Sequence, residues 1–118
     1  MSMGKVFGVT IPANQIFVLL GPAGSGKSTL LRIMNRLIDL SEEGRFESGE
    51  ILLDGKSIYD PSVNVSQLRR RIGMVFAQPL PLPMSIRENI TYGMKLAGVK
   101  DKVRLNEMVE STLKQAAL

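Results

Sequence analysis

A short segment rich in glycine holds the residues of this sequence that are best suited to chemistry. It reads Gly21-Pro22-Ala23-Gly24-Ser25-Gly26-Lys27-Ser28 and fits the pattern G-x-x-x-x-G-K-[ST]. Its glycines let the backbone curl until several N–H groups point inward and form a nest for phosphate oxygens. The pattern predicts that Lys27 reaches the β- and γ-phosphates of a nucleoside triphosphate and that the Ser28 hydroxyl binds Mg²⁺. Thr29 completes the predicted nucleotide site.

The segments on either side of this loop provide the context that the pattern requires. Residues 15–20 are apolar after Gln15 and partly β-branched, which predicts a parallel strand buried on both faces. Residues 28–39 predict a largely buried helix, whose amino terminus would add partial positive charge beside a phosphate. A surface turn without function is the alternative, but that alternative explains neither the apolar strand nor the apolar helix.

Strand and helix patterns alternate along the chain, which is typical of an α/β fold. Residues 6–11 and 72–76 predict short strands, and residues 66–71 predict a short basic helix. The dipeptide Asp54-Gly55 lies between two apolar runs and predicts a β-hairpin, because both residues tolerate a positive φ.

The last third of the sequence predicts a loop followed by two helices. Residues 78–83 alternate proline with other residues, which favours a semi-rigid loop. Ser85 and Glu88 have the spacing of a capping box, so a helix is expected to begin there. A second amphipathic helix is predicted from about Asp101.

Composition excludes several classes of chemistry. The 118 residues include no cysteine and no histidine, which excludes thiol chemistry, thiolate metal sites and histidine-based acid–base catalysis. The longest unbroken apolar run, residues 16–20, is far shorter than the ~20 residues of a membrane-spanning helix. The net charge is +4, and the run Arg69-Arg70-Arg71 raises the question of nucleic acid. Because the aromatic residues are scattered, a solvated helix face is expected instead, and no nucleic acid partner.

Several segments together resemble the ATP-binding-cassette (ABC) ATPases. They are the glycine-rich loop with the residues up to 31, the hairpin at 49–55, and residues 68–76. Within that superfamily, residues 34–37, 58–61 and 79–86 are similar to the ATP-binding subunits of bacterial phosphate importers. The resemblance implies a P-loop NTPase core fragment with a β-hairpin subdomain and the start of the helical subdomain. Residues 1–118 would then be an incomplete nucleotide-binding domain.

The resemblance also implies a function, which is the coupling of ATP hydrolysis, with ATP and Mg²⁺ as cofactors, to import of inorganic phosphate. It implies permease subunits in the membrane as partners and a cytoplasmic location at the inner face of the cell membrane. The alternative is a truncated remnant or excised domain that binds only phosphate or nucleotide, or that acts as an interaction module. A GTPase is disfavoured because the sequence lacks the N-K-x-D motif.

The sequence departs from the family pattern in three ways. The family's loop glutamine falls on Ala77, so that Gln78 contacts Mg²⁺ only if the loop shifts by one residue. The residue that stacks on adenine precedes Val6 in the family and is missing here. The L-S-G-G-Q signature, the acidic pair and the switch histidine are also absent, so we expect no ATP turnover from this chain alone. Without the family's later strands, residues 15–20 or a neighbouring strand are expected to have an unpaired edge, which a second copy covers by strand addition or by exchange of the C-terminal helices. A homo-oligomer is therefore expected, and the alternative is a monomer that rearranges its helices to cover its own sheet.

Overall fold

A computed structural model describes residues 8–42, 44 and 46–117. The chain divides into two compact units, residues 1–75 and 76–118. The first unit contains helices α1 (Lys27–Met34) and α2 (Val65–Arg71), a 3₁₀ helix (Leu37–Leu40), and strands β1 (Leu52–Leu53) and β2 (Lys56–Ser57). The second unit contains helices α3 (Ile86–Leu96) and α4 (Lys102–Gln115).

The predicted hairpin is confirmed, with strands that are shorter than the sequence suggests. Strands β1 and β2 are antiparallel, and the register pairs Leu52 with Ser57 and Leu53 with Lys56. The two turn residues both have a positive φ, 51° at Asp54 and 80° at Gly55. Strands that twist to the right favour this turn geometry, and aspartate and glycine adopt it readily.

Three of the predicted strands are absent from the described part of the chain. Residues 15–20 and 72–76 belong to no sheet, and neither do residues 8–11; Val6 and Phe7 lie outside the described residues. Ile16 is 95 % exposed and Val75 is 97 % exposed. A strand exists only where a neighbour accepts its backbone hydrogen bonds. Among the described residues, no such neighbour lies beside either apolar run.

The helix predicted over residues 28–39 is interrupted. Helix α1 ends at Met34, and Arg36 then adopts a left-handed conformation with φ 61° before the 3₁₀ helix begins. The Asn35 side chain supports this break, because its Oδ1 accepts a hydrogen bond of 3.2 Å from the Leu37 N–H. The prediction of a largely buried helix is also wrong, because α1 has no fully buried residue.

A small core holds the first unit together just beyond α1. Its fully buried apolar side chains are Ile38, Ile58 and Leu68. The rings of Phe46 and Tyr59 stack beside this core with centroids 4.2 Å apart, and the Arg36 guanidinium lies 4.8 Å from the Tyr59 ring. Burial, and to a lesser extent the Asp39 carboxylate, raises the pKa of the Tyr59 phenol, although Arg36 acts in the opposite direction.

Arg69 connects α2 to the end of α1. Its guanidinium donates hydrogen bonds to the carbonyl oxygens of Asn35 (3.2 Å) and Arg36 (2.9 Å). Carbonyls at the carboxyl end of a helix lack partners within the helix, and a cation stabilises them. The prediction of a solvated arginine face is therefore wrong for Arg69, which is half-buried, whereas Arg70 and Arg71 are exposed.

The two helices of the second unit begin where the sequence predicts, and α4 ends at Gln115 with Ala116 as its C-cap. The Ser85 hydroxyl accepts from the Glu88 N–H and the Glu88 carboxylate accepts from the Ser85 N–H, which completes the capping box. Gly98, with φ 92°, follows α3 in a Schellman turn. The Asp101 side chain caps α4, and α3 packs against α4. No helix within the described residues is long and apolar enough to cross a membrane.

Candidate phosphate-binding site

The glycine-rich segment forms a tight loop that leads directly into α1. Gly24 (φ 79°) and Gly26 (φ 95°) adopt conformations that disfavour side chains with a Cβ. Gly26 is the N-cap of α1, and no side chain caps this end of the helix. The first intrahelical hydrogen bond runs from the Leu30 N–H to the Gly26 carbonyl at 2.9 Å. The N–H groups of residues 27–29 therefore have no acceptor within the helix, as at the amino termini of helices that bind anions.

The start of the loop lies close to its own end, beside the Ser25 side chain. A Cβ added at Gly21 would lie 2.8 Å from the Ser25 hydroxyl oxygen. The Ser25 N–H donates to the Pro22 carbonyl at 3.2 Å, which closes the turn between them. The loop is thus compact, and its shape includes the positive φ of Gly24 and Gly26.

Lys27 lies over this loop. Its ammonium nitrogen donates to the carbonyl oxygens of Gly21 (2.6 Å) and Pro22 (2.8 Å) and to the Ser25 hydroxyl (3.3 Å). An ammonium group has three N–H donors, so the loop itself engages all of them. A phosphate that binds Lys27 must compete with these contacts, and the ammonium needs only a small movement because it already lies at the loop.

The nine predicted nucleotide-site residues, 21–29, form the loop and the first turn of α1. Ser28 is exposed in the first turn of α1, and Thr29 beside it is half-buried. Gln78 belongs to the second unit, so its role as a metal ligand stays a prediction. In the part of the chain that the structure describes, no group of three or more acidic side chains could hold a metal ion. The donor set of the loop, an ammonium and three backbone N–H groups, fits the oxygens of a phosphate.

Two residues that make contacts near the predicted site residues are not predicted by the sequence. Arg69 holds the far end of the helix that begins at the loop. Asn89 makes hydrogen bonds to the proline-rich segment that follows Gln78. Neither residue has a local sequence signal, since Arg69 is one of three adjacent arginines and Asn89 looks like an ordinary polar residue of a helix.

Comparison with known proteins identifies the class to which this loop and fold belong. The profile of the family described as ABC transporter matches residues 5–117. The chain belongs to this family, and the family implies a P-loop NTPase fold. More specifically, the chain is similar to proteins named for phosphate import, which confirms the resemblance inferred from its motifs.

Three curated relatives have this more specific name. The phosphate import ATP-binding protein PstB of Pseudoalteromonas translucida is 54 % identical over 110 residues, which are 93 % of this chain and 40 % of the relative. PstB of Idiomarina loihiensis is 54 % identical, and PstB 1 of Vibrio cholerae is 52 % identical; each alignment covers 92 % of this chain and 39 % of the relative. The chain thus spans about two fifths of the length of these relatives. No solved structure matches it significantly.

Proposed function

We propose that this chain is the nucleotide-binding part of an ATP-binding subunit of a phosphate importer. The observation that supports this most directly is the convergence of the Lys27 ammonium and the free N–H groups of residues 27–29 on one loop. The same chain is 52–54 % identical to proteins named for phosphate import. Under this proposal, the subunit binds ATP and Mg²⁺ and works with permease subunits at the cytoplasmic face of the membrane.

Each part of the loop has a distinct role in this proposal. The backbone around Gly24 and Gly26 surrounds the phosphate oxygens, and Lys27 neutralises the charge of the β- and γ-phosphates. The Ser28 hydroxyl and the Gln78 carboxamide would hold Mg²⁺, which neutralises phosphate charge when bound. We expect hydrolysis itself to need further parts of a subunit of the relatives' length, because phosphoryl transfer depends on several groups acting together. The comparisons do not favour an inert remnant.

The test of the proposed site is Lys27→Ala. Loss of a charge-assisted contact of about 1.5–3 kcal/mol should weaken binding of ATP and of tripolyphosphate about 10- to 150-fold. The measurement is isothermal titration calorimetry with each ligand in Mg²⁺. Both ligands should bind the unaltered chain with similar affinity, because the phosphates supply most of the contacts.

The matched control is Lys56→Ala, which removes the same charge from the exposed hairpin of the same unit. Affinity should hardly change in this variant. An equal loss of affinity in both variants would show that general charge attracts the ligand, and would contradict a specific role for the loop. Sub-micromolar binding of ATP with strong preference over tripolyphosphate would contradict recognition through the phosphates.

We further propose that copies of this chain associate through residues 15–20. Ile16, Val18 and Leu20 are exposed there, and in the described part of the chain no strand pairs with their backbone. An unpaired apolar strand is a template for a second copy. Sedimentation velocity at micromolar concentration should show a dimer or larger species, which Val18→Lys converts to monomer. Val75→Lys is the matched control at another exposed valine, and a monomeric unaltered chain would refute the proposal.

A further inference from the structure

We propose that a cavity between strand β2 and helix α2 binds a small organic anion, which is a carboxylate with a compact apolar body. The cavity measures about 170 Å³ and lies within the first unit. It is separate from the glycine-rich loop, because none of its lining residues belongs to residues 21–29. The proposal does not depend on the function proposed above.

The apolar part of the cavity belongs to the core of the unit. Ile58 is 1 % exposed and Leu68 is 6 % exposed, and both line the cavity with the half-buried side chains of Leu53 and Val63. A ligand that contacts these side chains removes apolar surface from water, which an inorganic ion cannot do. The lining therefore favours an organic anion over a bare one.

Two cationic side chains line the same cavity from different elements. Lys56 belongs to β2, and Arg71 is the last residue of α2. Among the described residues, no carboxylate lines the cavity. Walls of low dielectric constant concentrate the field of the two charges, so an anion is attracted more strongly there than on an open surface.

Two uncharged polar side chains of the lining also present donors. The Asn64 Oδ1 already accepts from the Gln67 N–H at 3.1 Å, and the Ser57 hydroxyl oxygen accepts from the Tyr59 N–H at 3.2 Å. Within the described ranges, the Asn64 Nδ2 and the Ser57 hydroxyl proton have no acceptor. Two cations and two uncharged donors form a set that suits the oxygens of a carboxylate.

Two carboxylates outside the lining compete with a ligand. Asp54 lies 2.5 Å from the Arg71 Nη2, and in the part of the chain that the structure describes the other two nitrogens of this guanidinium have no partner. The Asp60 carboxylate accepts from the N–H (2.8 Å) and the hydroxyl (2.6 Å) of Ser62. Because Arg71 is only partly engaged, the site retains affinity, and we expect a dissociation constant in the millimolar range.

The test is titration with benzoate, followed by the amide NMR signals of the full 118-residue chain. The signals of Ser57, Asn64 and Gln67 should shift until the site is saturated. Acetate has the charge without the ring, and benzyl alcohol has the ring without the charge, so each should bind at least about tenfold more weakly. Shifts that do not saturate with benzoate, or equal affinities for the three probes, would overturn the proposal.

Arg71→Ala should weaken benzoate binding at least about tenfold, because a charge-assisted contact is lost. Arg70→Ala is the matched control. It removes the same charge from the same helix, but Arg70 does not line the cavity and its guanidinium bonds to the Ser66 carbonyl. An equal loss of affinity in both variants would show that net charge alone attracts benzoate.

Asn64→Asp separates binding from folding. Aspartate keeps an oxygen that caps α2, so the unfolding temperature of the unit should not fall. The variant replaces the amide donors with a negative charge, and benzoate binding should weaken at least about tenfold. Asn106→Asp makes the same change on α4 and should leave benzoate binding unchanged. Unchanged binding in Asn64→Asp would refute the site.

Asp54→Asn should strengthen benzoate binding about two- to fivefold, since it removes the carboxylate that competes for Arg71. Asparagine tolerates the positive φ of this turn, and a poorly folded variant could not gain affinity. Lys27→Ala should leave benzoate binding unchanged, whereas Lys56→Ala should weaken it and spare the binding of tripolyphosphate. A failure to gain affinity in Asp54→Asn would contradict the contact with Arg71, and loss of benzoate binding in Lys27→Ala would place benzoate at the glycine-rich loop and refute the separate site.

Discussion

Ile58→Ala unfolds much of the first unit, whereas Ile16→Ala leaves its stability unchanged. Ile58 is 1 % exposed and Ile16 is 95 % exposed. Truncation of a buried isoleucine costs about 2–5 kcal/mol, because transfer free energy is lost and a cavity remains. Only three apolar side chains are fully buried in the described part of this unit. The expected loss is therefore comparable to the whole free energy of unfolding that such a core supplies.

Urea unfolding followed by the NMR signals of residues 8–75 measures this effect. The midpoint for Ile58→Ala should fall to little or no urea, and the midpoint for Ile16→Ala should equal that of the unaltered chain. Because both variants make the same chemical change, the comparison isolates burial. A midpoint that moves equally in the two variants would contradict the core described above.

Arg69→Ala destabilises the first unit by about 1.5–3 kcal/mol, and Arg70→Ala does not. Arg69 is a charged donor to two carbonyls at the end of α1, and hydrogen bonds to charged groups have this magnitude. In the variant, the Asn35 carbonyl would lose the Arg69 donor, and the Arg36 carbonyl would retain the Asp39 N–H. Since the same helix begins at Lys27, we also expect weaker binding of tripolyphosphate when its far end frays.

Arg70→Ala is the control for net charge, because it removes the same charge as Arg69→Ala from the same helix. Within the described part of the chain, the Arg70 guanidinium bonds to the Ser66 carbonyl of its own helix at 3.4 Å. Arg69→Lys keeps the charge but loses the planar fork that reaches two oxygens, so its stability should lie between those of the unaltered chain and the alanine variant. Thermal unfolding followed by circular dichroism provides the ranking. Equal destabilisation by Arg69→Ala and Arg70→Ala would show that the hydrogen bonds contribute little.

Features governed by neighbouring residues could be predicted from the sequence. The turn at Asp54 and Gly55, the capping box at Ser85 and the cap at Asp101 follow from local backbone geometry, and each is confirmed. The glycine-rich loop can be predicted for the same reason, because its backbone shape depends on a contiguous motif. Such rules require no knowledge of the rest of the fold.

Features that depend on distant partners could not be predicted. An apolar run such as residues 15–20 is compatible with a strand, but pairing requires a neighbour that its own residues cannot specify. Arg69 reaches carbonyls that lie 33 and 34 positions away in sequence. Asn89 acts on a segment whose path is set by its prolines. In each case the missing information is the position of another part of the chain.

The contact between Lys27 and its own loop has a consequence for the order in which ligands arrive. The carbonyl oxygens of Gly21 and Pro22 are the negative ends of peptide dipoles, and by themselves they would attract a free metal cation. With the ammonium 2.6 and 2.8 Å from them, such a cation is repelled and an anion is attracted. Under the proposed function, we therefore expect Mg²⁺ to reach the loop already bound to the phosphates and not to occupy the loop first.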